Sequence, residues 1–260
     1  MANFWHTNYL ILLLSGGIGY LTYLTLPCRS MKFTWRAQPG HAQSFAMRVM
    51  DPGANPTQEE SYILRLPLRK LRSGIDDEEI LARFSRGYFG GWMFTPERWI
   101  APYVQGIIDH DVFARSRVPG YATSDIYKIS SPNGLSSKHL PPLGACLFSL
   151  YYLLESSICS PGYRTEVFLS SGQTPRPDRS FVEYAGRTKG RSLAASHQFE
   201  VIREAPVSTP GGEEYVTIIY SHVRSNPRTG GRVYSRPMTA MHICYAHLLF
   251  ADGIREVLGC

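Results

Sequence analysis

The chain has 260 residues, a net charge of +6 and 12% aromatic residues, including 16 tyrosines. This is enough for one substantial core or two small ones. The dispersed basic residues lack the dense stripe and recognisable module of a nucleic-acid binder. Cys28, Cys146, Cys159, Cys244 and Cys260 are odd in number and widely spaced, which argues against a disulfide framework and suits a reducing compartment; no CxxC or Cys/His zinc spacing occurs.

From Tyr9 to Leu26 there is no charge. About 18 residues as a helix rise roughly 27 Å, close to the hydrocarbon thickness of a bilayer. No Lys or Arg precedes the run, whereas Arg29, Lys32 and Arg36 follow it. That asymmetry predicts a single-pass anchor over residues 1–30, with the main domain cytoplasmic. A cleaved signal or a buried segment are the competing readings, and the first lacks its charged n-region. No Asn-x-Ser/Thr acceptor site is present.

Residues 31–75 read as a linker and juxtamembrane basic segment. Asp51-Pro-Gly-Ala-Asn-Pro56 is turn-rich, and Arg65-Leu-Pro-Leu-Arg-Lys-Leu-Arg72 reads as a solvated loop or a contact for anionic headgroups. A single α+β domain is expected over 76–260. Asp76-Asp-Glu-Glu79 opens a helix carrying Ile80, Leu81, Phe84 and Tyr88. Thr95 as N-cap and Pro96 at the first helical position start a second. Residues 110–142 are irregular, and Leu143–Leu154 is a buried helix or strand. Thr165–Leu169, Phe181–Tyr184, Leu193–Glu204 and Glu214–Val223 read as strands, the last two joined by a hairpin loop over 206–212. Met238–Leu258 closes the chain as an amphipathic helix. A helical segment, an antiparallel sheet and a long terminal helix give an α+β class, helix-grip-like by analogy.

Strand parity supplies the candidate site. His197 shares its face with Leu193, Ala195, Phe199 and Val201, and His222 shares one with Val216, Ile218 and Tyr220. If the two strands pair, both histidines face one interior. His197 or His222 would then move a proton, with Glu183, Tyr184 or Tyr220 as partner. The alternative is a pair of structural histidines at strand ends. His242 and His247, five apart, do not share a helical face, so they are not expected to share a metal. No metal or other cofactor is expected. There is no Gly-x-Ser-x-Gly elbow, Walker loop or Gly-x-Gly-x-x-Gly, which ranks a thioesterase-type hydrolase low.

Three stretches together carry a resemblance: Arg83-Phe-Ser-Arg-Gly-Tyr-Phe-Gly-Gly-Trp-Met-Phe-Thr-Pro-Glu-Arg-Trp99, Gly190 to Val201, and Met241-His-Ile-Cys-Tyr-Ala-His-Leu-Leu249. They resemble small membrane-anchored proteins of unassigned family encoded in fungal secondary-metabolite biosynthetic clusters. The resemblance implies work on a polyketide or terpenoid product, beside other biosynthetic enzymes, and transfers no residue role. The expected function is a membrane-tethered, cofactor-independent cyclase, isomerase or dehydratase of a small apolar metabolite. The rival is a non-catalytic carrier or scaffold at the membrane.

Overall fold

A computed structural model describes Thr22 and residues 25–112, 127–160, 163–164, 179–204 and 213–260. The expected anchor lies almost wholly outside these residues, as does the strand expected over 165–169. Among the described residues, no helix is long and apolar enough to cross a membrane.

The described residues form an eight-stranded sheet, a two-stranded ribbon and four α-helices. The strands are β1 (Lys32–Thr34), β2 (Thr57–Pro67), β3 (Lys128–Ile129), β4 (Cys146–Leu147), β5 (Tyr151–Ser157), β8 (Arg179–Arg187), β9 (Ala194–Glu204) and β10 (Tyr215–Ser225). A separate ribbon pairs β6 (Cys159–Ser160) with β7 (Tyr163–Arg164). The helices are α1 (Phe45–Met50), α2 (Asp77–Gly90), α3 (Thr95–Val104) and α4 (Arg236–Leu258). The sheet order is β1-β2-β10-β9-β8-β5-β4-β3, antiparallel except for the edge pair β3–β4.

The linker expected over 31–75 is overturned at its centre. Residues 57–67 form β2, paired along its whole length with β10. Tyr62, Leu64 and Leu66 alternate inward, while Arg65 points to solvent. Three arginines of the octapeptide expected as a solvated loop or a headgroup contact form ion pairs within the fold: Arg65 meets Glu204 with 2.6–2.9 Å hydrogen bonds, Arg69 pairs with Glu213, and Arg72 meets Glu79 at 2.6 Å. Leu143–Leu154 resolves into β4 and the first part of β5.

Both helix starts are found, but the second begins at Thr95 itself, with Phe94 as the N-cap and no side-chain capping bond, one residue before the expected first position Pro96. The Asp76 side chain accepts from Glu79 N at 2.7 Å, capping α2. α2 crosses α4 at two glycines. A Cβ on Gly87 would meet the Asp252 carbonyl oxygen at 2.5 Å, and one on Gly253 would meet the Phe84 ring at 2.7 Å, so the helices need bare backbone here. Between the helices and the sheet lie Tyr62, Phe84, Tyr88, Phe89, Phe199, Tyr220 and Phe250, all at most 1% exposed. The opposite face carries a smaller core beneath α1, with Ala46, Met50, Tyr152 and Leu154.

Candidate functional site

Strand register builds a row of polar groups across the helix-covered face. Glu60 on β2 stands opposite His222 on β10, His222 opposite His197 on β9, and His197 opposite Tyr184 on β8. The two imidazoles stack at 4.5 Å. Tyr88 OH donates to Tyr220 OH at 2.9 Å, and Tyr220 OH lies 3.0 Å from His197 Nδ1. Burial holds His197 well below the ordinary histidine range and pushes the Tyr88 and Tyr220 phenols well above theirs. Three of the four expected site residues, His197, His222 and Tyr220, therefore do gather in one interior.

Glu183, the fourth, does not join them. Parity on β8 turns Tyr184 inward, where its hydroxyl donates to Ser85 Oγ at 3.1 Å, and turns Glu183 to the other face. There Ser44 and Ser196 donate to Glu183 Oε1 at 2.6 and 2.5 Å, and His41 Nε2 lies 2.9 Å from Ser196 Oγ. The set contains serine, histidine and carboxylate, but the wiring is not that of a nucleophile triad. The carboxylate contacts the same imidazole nitrogen as the serine, and His41 Nδ1 has no hydrogen-bond partner among the described residues. Glu155, which accepts from Phe45 N at 3.1 Å, sits beside Glu183. Burial, then the neighbouring Glu183 carboxylate, push Glu155 up to about 8.

The row on the helix side ends in a cluster that sequence reasoning missed. His242 on α4 brings Nε2 to 2.8 Å from Glu60 Oε1 and 3.1 Å from His222 Nδ1; Glu60 Oε1 is 3.3 Å from that Nδ1. Arg224 Nη1 lies 3.0 Å from His222 Nδ1 and 3.2 Å from Glu60 Oε2. Burial alone raises the Glu60 carboxyl, but hydrogen bonds from both histidines outweigh it and hold the group well below the carboxylate range. Burial brings His222 down to about 3. Glu60, His222 and His242 are also, among the described residues, the group whose donor atoms stand close enough to hold a metal ion.

The cluster adjoins a cleft of about 610 Å³ lined by Trp35, Gln58, Glu59, Arg224, Arg232 and Arg236, among others. Arg224, 1% exposed, belongs to both. The His242 side chain is 18% exposed, whereas those of Glu60 and His222 are at most 2%. Glu60 falls within the expected linker, where its shared parity with Tyr62, Leu64 and Leu66 is the signal the sequence offers. His242 and His247 lie on different sides of α4, and the His247 ring packs at 6.4 Å from the Tyr62 ring.

Comparison of the chain with protein-family models, with curated proteins and with solved structures finds no match in any of the three.

Proposed function

We propose that this protein is an enzyme of secondary-metabolite biosynthesis that cyclises, isomerises or dehydrates a small intermediate carrying a carboxylate. The observation that carries the reading is Arg224, which joins an arginine-rich cleft to the Glu60–His222–His242 centre. Arg232 and Arg236 neutralise the acid group of the substrate, and guanidinium forks suit a carboxylate. Trp35, 61% exposed at the cleft, offers its ring to the apolar part. The reacting carbon is then set against the cluster at its exposed member, His242. Loss of a proton beside a carboxylate, or departure of water, develops charge that fixed cationic groups stabilise without reorganisation.

Several features support this over a carrier. The first long strand lies beside the last, and α4 packs on the same face, which favours a helix-grip architecture. In such a fold a carrier needs interior volume, but here aromatic side chains fill the space between α2, α4 and the sheet. The uncharged run Tyr9–Leu26 favours a tether at a membrane with the domain on its cytoplasmic side, suiting a substrate that partitions there.

Gene disruption with metabolite profiling tests the reading. An acidic intermediate should accumulate in the disrupted strain and disappear on complementation with the natural sequence. It should persist with the double variant Arg232→Ala/Arg236→Ala. Full restoration by that variant, with the protein present at normal abundance, would overturn the proposal.

A further inference from the structure

We infer that Glu60, His222 and His242 form a binding site for one divalent first-row transition-metal ion. The inference deepens the reading of the same centre and rests on it. Donor distances give the first argument. Ligands about 2.0–2.1 Å from an ion stand about 2.8–3.0 Å apart at right angles and about 3.3–3.4 Å apart in a tetrahedron. The three donor atoms are separated by 2.8, 3.1 and 3.3 Å.

The hydrogen-bond inventory gives the second. His222 Nδ1 faces Arg224, which only donates, and the Glu60 carboxylate, which only accepts. One ring nitrogen cannot satisfy both. It offers a lone pair to the guanidinium or a proton to the carboxylate, and the other contact is mismatched. Glu60 Oε2 meanwhile has no hydrogen-bond partner among the described residues, although the carboxyl is fully buried and the ion-paired Arg224 Nη1 stands 3.2 Å away. An ion removes the conflict. Nδ1, Nε2 and Oε1 all direct lone pairs to it, and Arg224 turns to Oε2, where it secures the ligating carboxylate from behind.

The site is held from three elements. Strand register fixes Glu60 against His222. Tyr62 OH, two residues beyond Glu60, donates at 3.0 Å to the carbonyl of Ile243, the neighbour of His242, and so docks α4 at this level of the sheet. Two imidazoles and one carboxylate favour zinc, iron(II) or cobalt(II) over magnesium or calcium, which take all-oxygen sites. Three protein ligands leave coordination positions for water or substrate. An ion beside Arg224, Arg232 and Arg236 places more positive charge at the cleft than the Glu60 and Glu59 carboxylates balance, so an anionic substrate there completes the charge balance.

The test uses the full chain, stripped with a chelator and dialysed separately against Zn(II), Co(II) and anaerobic Fe(II), with bound metal measured by mass spectrometry. The expected result is about one ion per chain, with a Co(II) visible spectrum of nitrogen and oxygen ligation. His242→Ala and Glu60→Gln should each weaken binding about tenfold or more, and His247→Ala should leave it unchanged. Circular dichroism checks folding, and His242→Ala, altering the most exposed ligand, decides if Glu60→Gln does not fold. Sub-stoichiometric binding to the natural sequence, or equal binding by a folded His242→Ala variant, overturns the metal site. The Arg232→Ala/Arg236→Ala variant separates the two proposals. Metal retained with metabolite conversion lost upholds both; metal retained with conversion intact removes only the functional reading.

Discussion

On the helix-covered face of the sheet, Glu60 meets His222 and His242; on the other face, Glu183 meets His41, Ser44 and Ser196. Both carboxylates are fully buried and both lie within reach of imidazole. Their surroundings differ. Glu183 is satisfied by hydroxyls from a neighbouring strand and from the cap of α1, and every member of its cluster is closed from solvent. Glu60 is left with an unmatched oxygen, a mismatched neighbour and a cleft beside it. Among the described residues each cluster keeps an orphaned buried atom, His41 Nδ1 in one and Glu60 Oε2 in the other; the difference is that the Glu183 cluster is sealed from solvent, whereas the Glu60 cluster adjoins a cleft through Arg224.

The largest test of that contrast is Glu183→Ala. It strips the acceptor from two buried serines and should cost about 3–5 kcal/mol of stability, seen as a shifted urea midpoint. The metal content of the folded fraction should not change. A Glu183→Ala protein as stable as the natural one would break the comparison, because Glu183 would then share the frustration assigned to Glu60.

A pH titration of stability comes next. Unfolded, Glu155 titrates near 4.5; folded, near 8. Between these values the native chain keeps a proton that the unfolded chain has released, so stability falls as pH rises through that window. The groups facing Glu155 are Glu183 from β8, Arg48 from α1 and the Phe45 amide. Glu155→Gln should flatten the decline between about pH 5 and 8, measured by urea unfolding across that range. A decline unchanged in the variant assigns the slope to other groups.

The smallest effect is expected at Tyr220. Tyr220→Phe removes hydrogen bonds to Tyr88 and His197 in a packed interior and should cost about 1 kcal/mol, read as a small drop in Tm. Metabolite conversion should persist, since the phenol is fully buried. Loss of conversion at unchanged stability would move the reaction centre inward along the row towards His197.

Alternation made His197, His222 and Tyr220 legible as one inward face, because a strand's side-chain period is two whatever it packs against. Acidic first-turn residues did the same for α2. Glu183 was misassigned as a partner because proximity in sequence to Tyr184 says nothing of the face it occupies. Glu60 and Arg65 were misread because proline, glycine and clustered bases resemble a loop until their partners are known. β2 becomes a strand only when β10, some 150 residues later, pairs with it.

The sequence by itself determined the periodicities: two helices in the first half, paired strands and a terminal helix in the second, and two histidines on one face. These follow from local backbone geometry, which each segment carries alone. Only the tertiary structure decided that β2 closes the sheet beside its last strand, and that Glu60, His222 and His242 converge. Their positions are 60, 222 and 242 in the chain. Long-range pairing and helix docking, through the Tyr62 hydroxyl and the bare glycines of α2 and α4, bring them within 3.3 Å.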